Sequence, residues 1–265
     1  MTKDPDAYGL EILHYLEYGS GSGVGSTEPP RSEVPALPAP ERGSEIVERD
    51  DGFVDRSSGP SVYFDPFRRW PANQRRAMRF VRGRVLDVGA GAGRVALHLQ
   101  GRDLDVVAID SSPRAIEVCR RRGVRDARLV PIEEVDEKLG RFETIVMMGN
   151  NFGLFGGRTK AKRLLRRFHA LTTDRGRIVA ESRDPYATDD PDHLAYQERN
   201  RRRGRMSGQL RLRVRYRHAC SPWFDYLIVS PDELRDLLAG TGWHLTRTFD
   251  GPAGVYSAII EKEDG

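Results

Sequence analysis

The sequence of 265 residues is poor in cysteine and contains no long apolar run. Its two cysteines, Cys119 and Cys220, lie far apart, so they predict neither a disulfide framework nor the paired spacing of a zinc site. No apolar stretch approaches the ~20 residues that a helix needs to cross a bilayer. The amino-terminal segment MTKDPDAYGLEI also lacks the pattern of a signal peptide. We therefore expect a cytoplasmic protein that makes no use of a membrane.

Histidine is scarce as well, and the charges nearly balance. The six histidines form no grouping with Asp or Glu at metal-ligand spacing, so the sequence predicts no metal site. The formal net charge of +4 gives by itself no reason to expect a nucleic-acid partner. A composition of 38% hydrophobic and 31% charged residues is typical of one globular domain with appendages. It does not fix an oligomeric state.

A regular alternation of strands and helices begins at Arg84. The buried strand patterns are RVLDVG, LDVVAID, ARLVPIEE, FETIVMMGN and GRIVAES, and WHLTRTFDG and VYSAIIEKE close the chain. Short connections between strands and helices predict a parallel sheet that is covered on both faces. We therefore predict an α/β fold with a Rossmann-like, doubly wound, mostly parallel seven-stranded sheet.

Two segments lie outside this alternation. Residues 1–60 are predicted to be an extension, with a short amphipathic helix in DAYGLEILHYLEY and a flexible linker rich in Gly, Ser and Pro. That helix is either a lid or a dimer or surface contact. Residues 61–265 are predicted to form one domain with an insertion at about 184–229. Within the insertion, QLRLRVRYRH alternates apolar residues with arginine, which predicts a half-exposed strand paired with WFDYLIV.

A glycine-rich turn follows the first strand of the alternation. Gly89, Gly91 and Gly93 stand between strand and helix, with Asp87 two residues ahead of them. Glycine lets a ligand approach the backbone closely, and the start of the helix favours an anion. The next strand ends at Asp110, where a carboxylate can accept hydrogen bonds from both ribose hydroxyls. The pattern predicts a site for an adenosine-containing cofactor.

The spacing of the glycines favours S-adenosylmethionine over a dinucleotide. Arg94 stands where the dinucleotide fingerprint G-x-G-x-x-G has its last glycine. Asp87 could hold the ammonium of the methionine end, directly or through water. The sequence here resembles the class I S-adenosylmethionine-dependent methyltransferases, since VLDVGAGAGR is similar to their first motif and VVAIDSSPRAIEVC to their second. The resemblance covers about residues 84–181 and extends plausibly to 230–263.

The resemblance also implies roles for individual residues. By this resemblance Gly89, Ala90, Gly91 and Gly93 line the methionine and sugar, Asp110 binds the ribose, Ser111 lies against the adenine and Glu133 meets the adenine amine; Gly149, Asn150 and Asn151 lie at the mouth between cofactor and acceptor. A glycine turn that serves only chain geometry, or a nicotinamide site, is the alternative.

The acceptor is harder to predict than the cofactor. The segment GNNFGLFGG lacks the prolines found in enzymes that methylate exocyclic amines of bases, and neither cysteine has the Pro-Cys context of cytosine C5 enzymes. Arginines between 199 and 217 could follow an RNA backbone, although a solvated charged face is favoured. We hypothesise a methyltransferase acting on oxygen or nitrogen of a small molecule. An RNA methyltransferase and a non-catalytic cofactor-binding protein are the alternatives.

Catalytic residues are the least predictable, because transfer from a sulfonium depends mainly on alignment and exclusion of water. Arg183, Asp184 and Tyr186 follow the fifth strand and are expected at the carboxyl edge of the sheet, where ligands bind. His14 lies in the amino-terminal helix and His193 in the insertion, and either could act as a base.

Overall fold

The computed structural model describes residues 4–19, 44–56 and 59–263, so the predicted linker lies largely outside the described residues. The elements in the first half of the chain are α1 (Ala7–Tyr18), β1 (Ile46–Arg49), β2 (Val54–Arg56), α2 (Ala72–Ala77), β3 (Val85–Val88), α3 (Arg94–Gln100), β4 (Val106–Asp110), α4 (Pro113–Arg121) and β5 (Asp126–Leu129). Those in the second half are β6 (Phe142–Met147), α5 (Arg158–Leu171), β7 (Thr172–Arg183), α6 (Pro191–Arg202), β8 (Gln209–Tyr216), β9 (Ala219–Cys220), β10 (Phe224–Leu227), α7 (Pro231–Leu238), β11 (Trp243–Asp250) and β12 (Val255–Lys262).

The main sheet has seven strands in the order β11-β12-β7-β6-β3-β4-β5. The five strands from β7 to β5 pair in parallel, and β12 pairs antiparallel with both β7 and β11. Every residue of β3 and β4 is buried, as expected for continuous apolar strands covered on both faces. The chain leaves β3 toward β4 and later returns to its other side as β6. This strand reversal opens a crevice at the carboxyl ends of β3 and β4, and the predicted fold class is confirmed.

Helices cover both faces of this sheet. On one face, α5 and α7 contribute Leu164, Phe168 and Leu234 to a core that includes Leu86 of β3. On the other face, α2, α3 and α4 pack side chains against Val85 of the same strand. The alternation of Val85 and Leu86 between the two cores follows from the two-residue period of a strand. Among the described residues, every helix is too short or too polar to span a bilayer.

A second sheet, with the order β10-β8-β1-β2 and β9 beside β8, is built from two distant parts of the chain. The predicted strand β8 and its pairing with β10 are confirmed. Sequence analysis did not foresee that β1 pairs antiparallel with β8, bringing Ile46 opposite Arg215. The inner face of this sheet carries apolar residues such as Leu212, and the outer face carries the arginines of β8.

Helix α1 spans Ala7–Tyr18, within the segment that was predicted to be helical. Asp6 is its N-cap and accepts a hydrogen bond of 2.9 Å from the amide of Gly9. The helix packs on α4 and on the second sheet, with Ile12 fully buried. Ser112 is the N-cap of α4, and its hydroxyl accepts a hydrogen bond from the amide of Ala115. Helix α6 was not predicted; it fills part of the arginine-rich insertion, and Asp190 caps its start.

Candidate active site

The turn between β3 and α3 can be built only with glycine at its key positions. Gly89, Gly91 and Gly93 all have positive φ, at 73°, 54° and 74°. A Cβ at Gly89 would lie 2.5 Å from Nδ2 of Asn151, which donates hydrogen bonds to the carbonyls of Val88 and Gly89. A Cβ at Gly93 would instead strike Val124. The first glycine therefore allows a close approach to Asn151, and the last allows the turn to pack.

Asp110 ties the end of β4 to this turn. Its two carboxylate oxygens accept hydrogen bonds of 2.9 Å from the amides of Gly91 and Ser112. Burial raises the pKa of Asp110, and these amide hydrogen bonds oppose the shift. Each carboxylate oxygen can accept a further hydrogen bond. A pair of ligand hydroxyls at this strand end would find two acceptor oxygens that are already fixed in place.

Asp87 lies beneath the same turn and is almost completely buried. Its Oδ2 atom has no hydrogen-bond partner among the described residues. Burial raises the pKa of Asp87 to about 7, an effect that an amide hydrogen bond from Ala96 opposes and that Asp110 reinforces. A buried carboxylate oxygen without a donor is costly, so this position suits a group that brings a donor or a positive charge.

Helix α1 crosses the crevice above the glycine turn. A Cβ at Gly91 would lie 2.6 Å from the hydroxyl of Tyr8. At the start of α1, Asp6 accepts a 2.7 Å hydrogen bond from the hydroxyl of Ser112. An ion pair of 2.6 Å between Asp4 and Arg114 fixes the same end. These contacts anchor the amino-terminal extension to the strand end that carries Asp110.

A buried polar cluster continues from Tyr8 toward the second sheet. The amide of Glu45 donates a 2.8 Å hydrogen bond to Glu11, and the hydroxyl of Tyr63 donates one of 3.1 Å to Glu45. The rings of Tyr8 and Tyr63 meet edge to face with centroids 5.2 Å apart. Burial raises the pKa of both phenols well above the usual value, and Glu45 adds to the shift. Both tyrosines are therefore neutral hydrogen-bond donors at neutral pH.

The mouth of the crevice contains the predicted residues Gly149, Asn150 and Asn151 after β6. Both Gly149 and Asn150 adopt positive φ, so the chain turns sharply here. The amide of Asn150 donates a 3.1 Å hydrogen bond to Glu181 at the end of β7, and its carbonyl accepts one from Tyr226.

Sequence analysis did not identify Glu181, Gln74 or Arg94 as site residues. Glu181 is buried and accepts a 2.7 Å hydrogen bond from Gln74, which in turn accepts one of 3.2 Å from Arg94. Burial raises the pKa of Glu181, and the hydrogen bond from Gln74 opposes this. An acid at the end of the buried strand GRIVAES is the signal that could have identified Glu181. No sequence pattern identifies Gln74, because its role depends on how α2 packs.

Glu133 does not join this cluster. Its carboxylate forms an ion pair with Lys160 of α5, and it lines a depression beside Arg167 on that helix. The contact of Glu133 with the adenine amine therefore stays a prediction. Ser111 follows Asp110 and is exposed, and Ala90 is buried in the turn.

A cavity of about 310 Å³ lies between the inner face of the second sheet, α6 and the end of β7. Its wall includes Val47, Arg49, Asp55, Leu210 and Leu212 of the second sheet, His193, Tyr196 and Gln197 of α6, and Arg183 and Asp184. The volume is near the lower end of the range for small-molecule pockets. The predicted residues Arg183, Asp184 and His193 thus come together in one wall.

Most polar groups of this wall are already engaged. Arg49 forms an ion pair of 2.8 Å with Asp51, and Nδ1 of His193 lies 3.2 Å from the hydroxyl of Thr188. The Thr188 oxygen also accepts from the amide of Asp190, so the imidazole is held from the Nδ1 side. The side chain of Arg183, in contrast, makes no hydrogen bond or ion pair within the described part of the chain.

Two other catalytic candidates lie elsewhere. Tyr186 is 48% exposed and is not part of the cavity wall, although its hydroxyl bonds Ser207, which lines the cavity, as well as Glu233. His14 faces the second sheet, where its Nδ1 lies 3.3 Å from the Tyr216 hydroxyl. Burial lowers the pKa of His14. The structure therefore brings neither residue to the cavity.

The arginines that suggested an RNA-binding strand are largely neutralised by carboxylates. On the outer face of β8, Arg213 and Arg215 share Glu48, at 2.6 Å and 2.8 Å. Arg211 lies 3.4 Å from Asp225 of β10. Arg199 is paired with Asp50 at 2.7 Å. This pattern favours the solvated charged face over a surface that tracks a phosphate backbone.

Comparison with known proteins bears on the first part of the domain and on the fold. Residues 85–176 match a family model described as a methyltransferase domain. A segment of 70 residues is 38% identical to a ubiquinone biosynthesis O-methyltransferase from Methylocella silvestris; it makes up 24% of this chain and spans about a quarter (27%) of that protein.

Two solved structures share the fold. An S-adenosylmethionine-dependent methyltransferase from Bacteroides fragilis, crystallised with S-adenosyl-L-homocysteine, aligns over 100% of this chain and 98% of its own, with 24% identity and a TM-score of 0.76. The CcbJ methyltransferase from Streptomyces caelestis aligns over 76% of this chain and 98% of its own, with 16% identity and a TM-score of 0.54.

Proposed function

Since the chain belongs to the class I S-adenosylmethionine-dependent methyltransferases, we propose that it transfers a methyl group to an oxygen or nitrogen atom of a small-molecule acceptor. The observation that carries the acceptor class is the cavity of about 310 Å³ under the second sheet, because a cavity of this size can hold a small molecule and is too small for a duplex or a folded RNA. The similarity of a 70-residue segment to the Methylocella O-methyltransferase supports oxygen as one acceptor atom.

The residues of the crevice fit the cofactor of this family. A Cβ at Gly91 would meet the Tyr8 hydroxyl, so glycine is needed where α1 covers the turn, and the Oδ2 atom of Asp87 is buried without a hydrogen-bond donor among the described residues. We assign the ammonium to Asp87 and the ribose hydroxyls to Asp110. The bound cofactor supplies a methyl group on a positively charged sulfur, which makes the carbon reactive. The full set we propose is Asp87, Gly89, Ala90, Gly91, Gly93, Asp110, Ser111, Gly149, Asn150 and Asn151; the ion pair of Glu133 with Lys160 leads us to omit Glu133.

The chain's own contribution is mainly alignment and exclusion of water. Helix α1 covers the glycine turn through Tyr8, and we propose that it acts as the lid of the crevice. Glu181 and Asn150 brace each other by a 3.1 Å hydrogen bond, so this part of the mouth of the crevice is fixed before the acceptor arrives. Preset geometry of this kind supplies much of the rate enhancement in an in-line displacement.

An acceptor hydroxyl or ammonium must lose a proton around the time of transfer. His193 is the candidate base in the cavity wall, because Thr188 holds its Nδ1 side and leaves Nε2 as the remaining nitrogen. Asp184 uses one carboxylate oxygen to accept from the amide of Tyr186 and retains the other. We propose His193 as the proton acceptor, with Arg183 and Asp184 as acceptor-binding groups.

A turnover assay and a binding assay test this function together. Wild-type protein is incubated with S-adenosylmethionine and pools of small phenols and amines, and released S-adenosylhomocysteine is measured. Calorimetry with S-adenosylhomocysteine compares wild type, Asp110→Ala and the exposed control Asp174→Ala. We expect turnover with at least one pool, and an affinity loss of ~1.5–3 kcal/mol in Asp110→Ala alone. The same assay is run with RNA as the substrate. Turnover with RNA but with none of the small-molecule pools, or equal affinities for S-adenosylhomocysteine in all three proteins, would contradict the proposal.

A further inference from the structure

Five exposed arginines form a continuous basic face on the outer side of α2. We define the basic face as Arg75, Arg76, Arg79, Arg102 and Arg247. The first three belong to α2 and the turn after it, Arg102 follows α3, and Arg247 lies on β11. All five are exposed. Arg76 and Arg79 line both of two neighbouring depressions, of about 620 Å³ and 290 Å³, which makes the face continuous.

None of these arginines has a carboxylate partner within the described part of the chain, and no acidic residue lines either depression. The arginines of β8 and α6 give the opposite picture, since Arg201 and Arg202, for example, both pair with Glu198. Carboxylates therefore compensate the positive charge of the arginines on the second sheet and α6, whereas the positive charge of the basic face remains uncompensated. Such a surface attracts anions over a distance of about 10 Å at moderate salt.

Four of the five guanidinium groups, all except that of Arg79, are held by contacts that do not neutralise their charge, and Arg102 is held by a 2.9 Å hydrogen bond to the carbonyl of Met78. Arg76 stacks over the ring of Phe249 at 4.5 Å, and Arg247 over Phe80 at 5.3 Å. Arg75 donates a 3.0 Å hydrogen bond to the carbonyl of Arg68. Arg76 and Arg247 are both exposed, so a ligand can still reach their guanidinium groups. The basic face therefore combines fixed positive charges with planar surfaces.

Planar aromatic groups also line the larger depression. The rings of Phe67 and His98 stack with centroids 3.9 Å apart and an angle of 7° between their planes. Both rings and Met78 form part of the wall beneath the arginines. Nucleic-acid bases stack on aromatic rings and on guanidinium planes, and phosphates pair with arginine. A carboxylate-rich peptide would use the charges but would have nothing to place on the planar surfaces.

We propose that the basic face binds single-stranded nucleic acid. Phosphates contact the guanidinium groups in the two depressions, and unpaired bases stack on the exposed planes. This site is separate from the acceptor cavity and from the arginines of β8, so it does not make nucleic acid the methyl acceptor. The extent of the face over two joined depressions suits a run of several nucleotides better than one small anion.

Fluorescence anisotropy with a labelled RNA of about 12 nucleotides and mixed sequence tests the proposal, since sites of this kind span ~4–16 nucleotides. Affinity is measured across about 50–200 mM salt for wild type and Arg75/Arg76/Arg79→Gln. The control Arg201/Arg202/Arg235→Gln removes the same charge from arginines that are paired with acids. We expect wild-type binding to weaken with salt, and the basic-face variant to bind about tenfold or more weakly with a slope smaller by about 2.

The single variant Arg79→Glu covers the case in which the triple variant fails to fold. Arg79 is exposed and makes no hydrogen bond or ion pair within the described residues, so its reversal leaves the packing intact. We expect Arg79→Glu to weaken RNA binding more than Arg79→Gln. Equal losses in the basic-face and control variants, salt-independent binding, or equal affinity for polyglutamate of similar length would overturn the proposal, the last in favour of an acidic peptide.

Discussion

The crevice under α1 and the cavity under the second sheet were assembled by the chain in different ways. The crevice comes mainly from residues 85–112, in which one strand, one turn and the next strand follow each other directly. The cavity draws its wall from residues near 50, 185–197, 207–212 and 228. A site made from one contiguous supersecondary unit has a sequence pattern, whereas a site made between distant segments has none. The predictions below test whether the two sites are as separate in function as they are in construction.

The largest effect is expected from filling the cavity. Leu212 lies on the inner face of β8 and lines the cavity, so Leu212→Trp should exclude the acceptor. We expect methyl transfer to fall by about 100-fold or more, because small errors in acceptor position cost that much. Affinity for S-adenosylhomocysteine, measured by calorimetry, should stay the same.

Arg211→Trp is the matched control for this variant, since Arg211 is the neighbouring residue in the same strand and pairs with Asp225 on the opposite face. It should leave both transfer and affinity near the wild-type values. If Leu212→Trp weakens cofactor binding as much as transfer, the two sites are not separate.

The next effect should come from Gly91→Ala in the crevice. A residue other than glycine at φ 54° costs ~1–2 kcal/mol, and the new Cβ would also meet the Tyr8 hydroxyl at 2.6 Å. We expect the turn and α1 to move apart, with about tenfold lower affinity for S-adenosylhomocysteine in calorimetry.

Gly123→Ala separates backbone strain from the contact with Tyr8. Gly123 has φ 93°, and a Cβ there would have open space around it. This control should lower the melting temperature without changing affinity. The double variant Gly91→Ala/Tyr8→Phe is expected to recover part of the affinity for S-adenosylhomocysteine. If Gly123→Ala lost as much affinity as Gly91→Ala, the role of Tyr8 would be contradicted.

The crevice was the part of the structure that could best be predicted from the sequence alone. The spacing of Gly89, Gly91 and Asp110 indicated the cofactor site because each residue type answers a local requirement of backbone or ligand. The pairing of β1 with β8 could not be predicted, because IVER is a short polar strand whose partner lies far along the chain. The ion pair of Glu133 with Lys160 could not be predicted for a related reason, since Lys160 lies on a later helix.

A pH-dependent effect on stability is expected from Asp87. Its pKa of about 7 in the folded state lies above the usual value of 3.8, so the folded protein holds a proton that the unfolded chain has lost between those values. Asp87 therefore contributes a loss of stability as pH rises from about 4 to 7. Urea unfolding should show Asp87→Asn gaining stability relative to wild type between pH 5 and pH 8. If the free energies of unfolding of Asp87→Asn and wild type differed by the same amount at pH 5 and pH 8, burial of the Asp87 charge would not lower stability.

The smallest effect should come from the cap of α1. Asp6→Ala removes an N-cap and the hydrogen bond with Ser112, which should cost ~1 kcal/mol in the docking of the helix. Ser230→Ala removes the N-cap of α7, far from the crevice in the sequence, at a similar cost in stability. Calorimetry should show weaker binding of S-adenosylhomocysteine in Asp6→Ala only. Equal binding in the two variants would mean that α1 does not cover the cofactor.

The most direct test is a crystal structure of the protein with S-adenosylhomocysteine. We predict that the ligand lies along Gly89–Gly93, with the ribose hydroxyls on Asp110, the ammonium near Asp87 and the sulfur facing the cavity that contains Arg183 and His193. A ligand bound outside this crevice, or a sulfur that faces away from the cavity, would contradict the account.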